Sequence, residues 1–173
     1  SSYLALMGAH IIGNLSASNE LVSKADYRRN LISNQSARSI CSYIYSSAGV
    51  HESTTDVLFS GHLIISENGS LLSENKRFQR DNEIIYSYVD VFKLKAERMK
   101  NLSFRDASIF LNKTPSMINF QFTNTEIKGF DRFIDKHPFV PSSEEERDLR
   151  CREIFNIQAS SLAKRLEHTH SQK

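Results

Sequence analysis

Apolar positions along the first hundred residues alternate between a period near that of a helix and a period near that of a strand, with glycine and serine at the joins. Residues 3–7 read as the end of a helix that Gly8 breaks. Residues 9–15, Ala-His-Ile-Ile-Gly-Asn-Leu, read as a short buried strand. Ser23 suits an N-cap and Asp26 a first helical turn, which predicts a helix through Tyr27, Leu31, Ile32, Gln35 and Ile40. Arg28, Arg29 and Arg38 fall mostly off its apolar stripe. Residues 41–47 are rich in β-favouring side chains and predict a second strand. Strands over 56–66 and 70–73 should follow, joined at Glu67-Asn68-Gly69, because Asn-Gly supplies the two left-handed residues of a tight hairpin. Residues 83–89, EIIYSYV, complete the expected meander, and Val91, Leu94, Arg98 and Met99 mark a helix over 90–100.

Beyond Lys100 the pattern weakens. Residues 109–111 and 117–122 read as short strands with Thr114-Pro115 between them, and residues 139–143 as a linker. Ser143 and Glu146 have the spacing of a capping box. The helix after it places Cys151, Phe155, Ala159, Leu162 and Leu166 on one face, which should dock against a partner, while residues 168–173 should fray. Strands alternating with helices predict an α/β layer structure.

Composition narrows the class. Of 173 residues, 39% are apolar and 24% charged, which excludes a wholly disordered chain. The net charge of +2 arises from 22 basic and 20 acidic residues spread along the sequence, so no footprint for nucleic acid or an anionic membrane appears. No apolar run approaches the roughly 20 residues that cross a bilayer, and the first 18 residues lack a signal-peptide pattern, so a cytoplasmic protein is expected. Cys41 and Cys151 lie far apart in apolar contexts and read as packed, reduced thiols.

Candidate chemistry is sparse. Cys41 could be a nucleophile only with a base or a lowered pKa beside it, and its neighbours Ile40, Ser42 and Tyr43 offer neither. His168 and His170 share no helical face and have no carboxylate or cysteine partner for a metal. His10 and His62 sit within apolar strands, where a satisfied core imidazole is the structural reading. The loop after the first strand is more promising, because Ser16 and Ser18 can present short hydroxyl groups to a polar ligand at little entropic cost. Ser16 can also bond the strand end. The cluster Glu52-Ser53-Thr54-Thr55-Asp56 suits either a side-chain-capped turn or a functional loop.

Three segments carry a family resemblance: Asn-Leu-Ser-Ala-Ser-Asn-Glu at 14–20, SSAGVHESTTDVLFSGHLIISENG at 46–69, and REIFNIQASSLAKRLEHT at 152–169. Together they resemble the glutamine-dependent NAD synthetases, in which a nitrilase-like glutaminase domain precedes an ATP-using synthetase domain. The likeness runs along nearly the whole chain and is weak over 103–135. It implies part of a nitrilase-like αββα sandwich with a C-terminal helix. Residues 1–100 would be the C-terminal half of the glutaminase domain, 101–141 its end and a linker, and 142–173 the first helix of the synthetase domain.

The resemblance also implies what is missing. In that family the nucleophilic cysteine precedes the segment matching Ser1-Ser2, its glutamate base and lysine lie further upstream, and the ATP-gripping loop follows the position of Lys173. The chain is then a stretch between two active centres with no catalytic residue and no cofactor of its own, ATP and magnesium serving the intact enzyme. Ser18 would contact the amino-acid end of L-glutamine, Lys24 its carboxylate as a point charge, and Ser16 would line the same site. A solvated Lys24 and a helix-capping Ser23 are the structural alternatives. Partners would be glutamine, deamido-NAD, the rest of the enzyme and, through a half sandwich, further copies in a homo-oligomer. Glu52 to Asp56 could border a route for ammonia. Another nitrilase-type amidohydrolase and a non-catalytic assembly module are the competing readings.

Overall fold

A parallel strand pair with its crossover helix opens the fold. In the computed structural model, which describes residues 1–111, 114–123, 129, 132–138, 140–141 and 143–170, a short helix α1 (Ser2–Leu6) leads into β1 (Ile11–Ser16), then α2 (Lys24–Arg38) and β2 (Ser42–Ser47). β1 and β2 run parallel, so the chain must cross over between them, and α2 supplies that crossing. β3 (Leu63–Glu67) and β4 (Ser70–Glu74) extend the sheet antiparallel, in the order β1-β2-β3-β4. Two helices follow, α3 (Val91–Lys100) and α4 (Leu102–Ile109). These elements belong to a unit of residues Ser1–Ile127, and the long helix α5 (Glu144–His168) belongs to a second, Lys128–Lys173.

Register places the core. Ile12 pairs with Tyr43 and Asn14 with Tyr45, while Tyr43 faces Ser66 and Tyr45 faces Ile64 on β3. Strand residues alternate between faces, so these side chains share the side that α2 covers. Ile12, Ile32, Tyr43, Tyr45 and Ile64 form one buried cluster with Cys41 and Ala5, and Phe104 packs on its edge. On α2 the buried residues are Ala25, Arg28, Ile32 and Ser36, at helical spacing. Arg28 is therefore on the inward face, and of the expected stripe Ile32 and Ile40 are buried while Tyr27 and Leu31 are exposed. The physical reason is that partners from other elements satisfy the guanidinium.

The hairpin forms where Asn-Gly requires it: Asn68 has φ 46° and Gly69 φ 92°. Gly69 N–H donates to Ser36 Oγ at 2.8 Å, tying the turn to α2. Just beyond the same end of α2, Ile40 adopts φ 43° and the Arg98 guanidinium donates to three carbonyls, Ile40 at 2.9 Å, Ala9 at 2.6 Å and Ser39 at 3.2 Å. Arg98 thus satisfies carbonyls just past the end of α2 and one on the approach to β1. Of the residues expected on the α3 stripe, Leu94 and Arg98 are buried while Met99 is exposed.

Several sequence expectations are corrected. Ser23 precedes α2 in a left-handed conformation (φ 64°) and makes no side-chain cap. β1 is not buried on both faces, since Ile11 and Leu15, on the face away from α2, are 47% and 89% exposed. The strand expected over 56–66 is confined to Leu63–Glu67, because local polar groups claim the backbone before it. Ser53 Oγ accepts from Phe59 N–H at 3.0 Å, Thr54 N–H donates to Val57 O at 2.9 Å, and the Glu52 carboxylate accepts from Gly49 N–H. The Glu52 to Asp56 segment therefore acts locally as a side-chain-capped turn, with a 3-10 turn at Val50–Glu52.

Residues 83–89 alternate as a strand would yet form no strand among the described residues, and Ile84 and Tyr86 are each 86% exposed. Residues 117–122 likewise form no strand among the described residues, and Ile109 ends α4 in place of starting a strand. That helix was absent from the sequence expectation, although Asn101 caps it by accepting from Phe104 N–H at 2.9 Å. At α5, Ser143 Oγ accepts from Glu146 N–H at 3.1 Å, as the cap spacing predicts. Cys151, Phe155, Ala159, Leu162 and Leu166 are exposed, so the stripe expected to dock against a partner lies on the surface of this chain, and Cys151 is not a packed thiol. His168 closes α5 where fraying was expected. Phe139 and Ser142 of the expected linker, and the terminal residues 171–173, lie outside the described residues.

Candidate functional site

β1 delivers Ser16 at its end, the chain continues through Ser18, and α2 begins at Lys24, so one strand–helix connection carries all three sequence-predicted site residues. The structure brings them together. Ser16, Ser18 and Lys24 line a cavity of about 270 Å³, with Asn14, Arg28 and Tyr45 among its other walls. Lys24 Nζ donates to the Asn19 carbonyl at 2.6 Å and to Asn19 Oδ1 at 2.7 Å, both neutral oxygens. Its charge is positioned without being neutralised, and one of its three N–H donors stays available.

Beside this cavity runs a buried polar network. Arg28, 4% exposed, donates through Nη1 to Glu20 Oε2 at 3.1 Å and to His62 Nδ1 at 2.9 Å. His62 must then carry its proton on Nε2, which donates to Glu74 Oε1 at 2.7 Å. Arg29 holds the same carboxylate in a fork, Nε to Oε2 at 2.8 Å and Nη2 to Oε1 at 2.9 Å. Glu20 also accepts from the Ser60 hydroxyl and from Arg77 Nη1 at 2.8 Å. Burial pushes His62 below the ordinary imidazole range and outweighs the opposite pull of Glu74. Burial works to raise the Glu20 carboxyl, but the Ser60 hydrogen bond and the charges of Arg28 and Arg77 overcome it, and its pKa falls. Glu74 is lowered by the Arg29 hydrogen bond, against the opposing effect of burial.

Sequence reasoning missed this network because its members come from distant stretches. His62 had the signal of a core imidazole within an apolar run, and Arg28 lay one turn before Ile32 and one turn after Lys24, but its charge had placed it outside. Cys41 is fully buried in the core cluster, where burial raises its thiol pKa and makes it a poor nucleophile. Among the described residues, no group of three or more His, Cys, Asp or Glu side chains could hold a metal ion, His168 and His170 included. No helix among them is long and apolar enough to cross a membrane.

The fold and site define an α/β protein with a mixed sheet and a cationic cavity between its parallel strand pair and the crossover helix. No family model matches the chain. Curated relatives do. Over 170 residues, 96% of this chain, it is 35% identical to the glutamine-dependent NAD(+) synthetase of Mycobacterium tuberculosis, and over 174 residues 33% identical to that of Mycobacterium leprae. The chain is thus a sequence relative of the glutamine-dependent NAD(+) synthetases and spans 25% of the length of these curated relatives.

Two solved structures match shorter stretches. A glutamine-dependent NAD(+) synthetase from Cytophaga hutchinsonii is 29% identical with a TM-score of 0.40, covering 42% of this chain and 12% of that one. The enzyme from Acinetobacter baumannii in complex with ADP is 20% identical with a TM-score of 0.42, covering 45% of this chain and 15% of that one.

Proposed function

We propose that this chain is a segment of a glutamine-dependent NAD(+) synthetase and supplies part of the wall of its glutamine pocket. The observation that carries the reading is the convergence of Ser16, Ser18 and Lys24 on one cavity. The intact enzyme would release ammonia from glutamine and use ATP, with magnesium, to amidate deamido-NAD. Nucleophile, base and oxyanion partner belong to sequence outside this chain, and Cys41 takes no part because its thiol is sealed in the core. This chain's residues bind and orient. The Lys24 ammonium draws in the carboxylate of glutamine, and the Ser18 hydroxyl donates to the amino-acid end, holding the amide at a fixed distance from the attacking group.

The same reading accounts for the uncovered sheet face. Ile11 and Leu15 are exposed on the side away from α2, where the second sheet of a nitrilase-like αββα sandwich would lie. Association with the rest of the enzyme, and of one copy with another, covers such surfaces.

The test uses the intact enzyme with Lys24→Ala. Loss of a hydrogen bond to a charged group is worth about 1.5–3 kcal/mol, so kcat/KM for glutamine should fall roughly 10- to 150-fold while synthesis from added ammonia is unchanged. Equal loss of both activities would make Lys24 structural and overturn the reading.

A further inference from the structure

Two peptide planes join the Glu52 to Asp56 turn to the Lys24 ammonium. Phe59 N–H donates to Ser53 Oγ at 3.0 Å, and across that same peptide the Leu58 carbonyl accepts from Glu20 N–H at 2.7 Å. The peptide that carries Glu20 N–H repeats the arrangement, since its carbonyl, Asn19 O, accepts from Lys24 Nζ at 2.6 Å. A trans peptide sets N–H and C=O on opposite edges of one rigid plane, so fixing the donor aims the acceptor. The series therefore runs unbroken from Ser53 to the cavity wall, each bond polarising the next.

The Glu20 side chain clamps the middle of the series. Its Oε2 accepts from the Ser60 hydroxyl and from Arg28 Nη1, and its Oε1 accepts from Arg77 Nη1 at 2.8 Å. Among the described residues, the hydrogen bonds that tie the loop 17–23 to anything beyond itself and α2 all leave from Glu20. Leu21 and Val22 are 61% and 99% exposed and Ser23 has φ 64°, so packing does not hold the far half of this loop. Ser53 and Glu20 are not among the residues that line the cavity. A lysine carries its point charge on a flexible four-carbon stem, whose rotamers must be restricted before the charge sits in one place.

We infer that Ser53 and Glu20 are positioning residues for Lys24, and that the Glu52 to Asp56 turn serves glutamine use through them. The inference rests on the proposed glutamine pocket. Neither residue meets the substrate. Both act by aiming the Asn19 carbonyl that holds the Lys24 ammonium, which makes a turn that reads as purely local part of the machinery that sets a binding charge.

The experiment measures kcat and KM for glutamine, and synthesis from added ammonia, in the intact enzyme carrying Ser53→Ala, Ser53→Thr, Glu20→Gln or Lys24→Ala, and in Ser53→Ala and Glu20→Gln each combined with Lys24→Ala. Ser53→Ala should lower kcat/KM for glutamine about 2- to 10-fold, mostly through KM, as the loss of one neutral hydrogen bond allows. Ser53→Thr keeps the oxygen and should return the value to within about twofold. Glu20→Gln should cost roughly tenfold. Synthesis from ammonia should be unchanged in the Ser53 and Glu20 variants. With Lys24 already replaced by alanine, Ser53→Ala and Glu20→Gln should each cost less than about twofold more, because residues that act through one group are not additive. Should Glu20→Gln fail to fold by circular dichroism, the Ser53 variants carry the same test. Full additivity, a Ser53→Ala loss that Ser53→Thr does not recover, or an equal fall in ammonia-driven synthesis would make these residues structural and overturn the inference. If Lys24→Ala lowers glutamine use while Ser53→Ala and Glu20→Gln do not, the pocket reading stands and the positioning series alone is overturned. If Lys24→Ala leaves glutamine use unchanged, the pocket reading falls and the inference with it.

Discussion

His62 Nε2 donates to Glu74 Oε1 across 2.7 Å, and because Arg28 occupies the other ring nitrogen, the imidazole is held neutral in one tautomer. Protonating it would set a cation against Arg28 in a fully buried position. Its folded pKa lies below the unfolded value near 6.5, so below about pH 6.5 the unfolded chain takes up a proton that the folded chain refuses, and stability falls with acidification. A second loss begins below about pH 4.5, where Glu20 and Glu74, both depressed in the fold, protonate first in the unfolded chain. His62→Gln keeps an acceptor for Arg28 and a donor for Glu74. Urea midpoints measured across this range should show the first step shrink in the variant, with a residue from His10, whose pKa is also lowered by burial. An unchanged first step would place its origin elsewhere.

Arg98 joins the end of α2 to the approach to β1 by bonding Ile40, Ala9 and Ser39 carbonyls while its Cζ lies 5.0 Å from the Phe104 ring centroid. Arg98→Ala strands these acceptors, each worth about 1–3 kcal/mol when buried and unpaired. Partial access of water limits the sum, and a loss of about 2–4 kcal/mol is expected from chemical denaturation. Arg98→Lys restores charge without the fork and should recover only a minor part.

Gly69 combines φ 92° with a position where an added Cβ would stand 3.1 Å from Ala37 Cβ. Gly69→Ala should cost about 1–2 kcal/mol through left-handed strain, with a further small amount from the contact. Gly13→Ala is the control, as that glycine has no positive φ and no atom within 4 Å of its added Cβ. Thermal melts of the two variants should therefore differ clearly.

Cys41 is fully buried with a raised thiol pKa, whereas Cys151 is exposed on α5. Under native conditions iodoacetamide should modify Cys151 and spare Cys41 until denaturant is added, as intact mass and peptide mapping would record. Early labelling of Cys41 would show that the core cluster opens locally far more often than its burial implies.

Sequence alone determined the features whose physics is local. The Asn68-Gly69 hairpin, the Ser143 cap of α5 and the strand–helix–strand succession at the opening follow from backbone preference and spacing over a few residues, whereas Lys24 as a site residue came from the family resemblance. Tertiary structure decided what depends on partners. Residues 83–89 alternate correctly for a strand, but alternation specifies a face and not a neighbouring strand, and among the described residues they join no sheet. Arg28 illustrates the same limit in the site. Its charge assigns it to solvent until Glu20 and His62, 8 and 34 positions away, meet it in the fold. Burying a guanidinium is unfavourable in isolation and tolerable once those acceptors are in place, and only the packed sheet and helix bring them there.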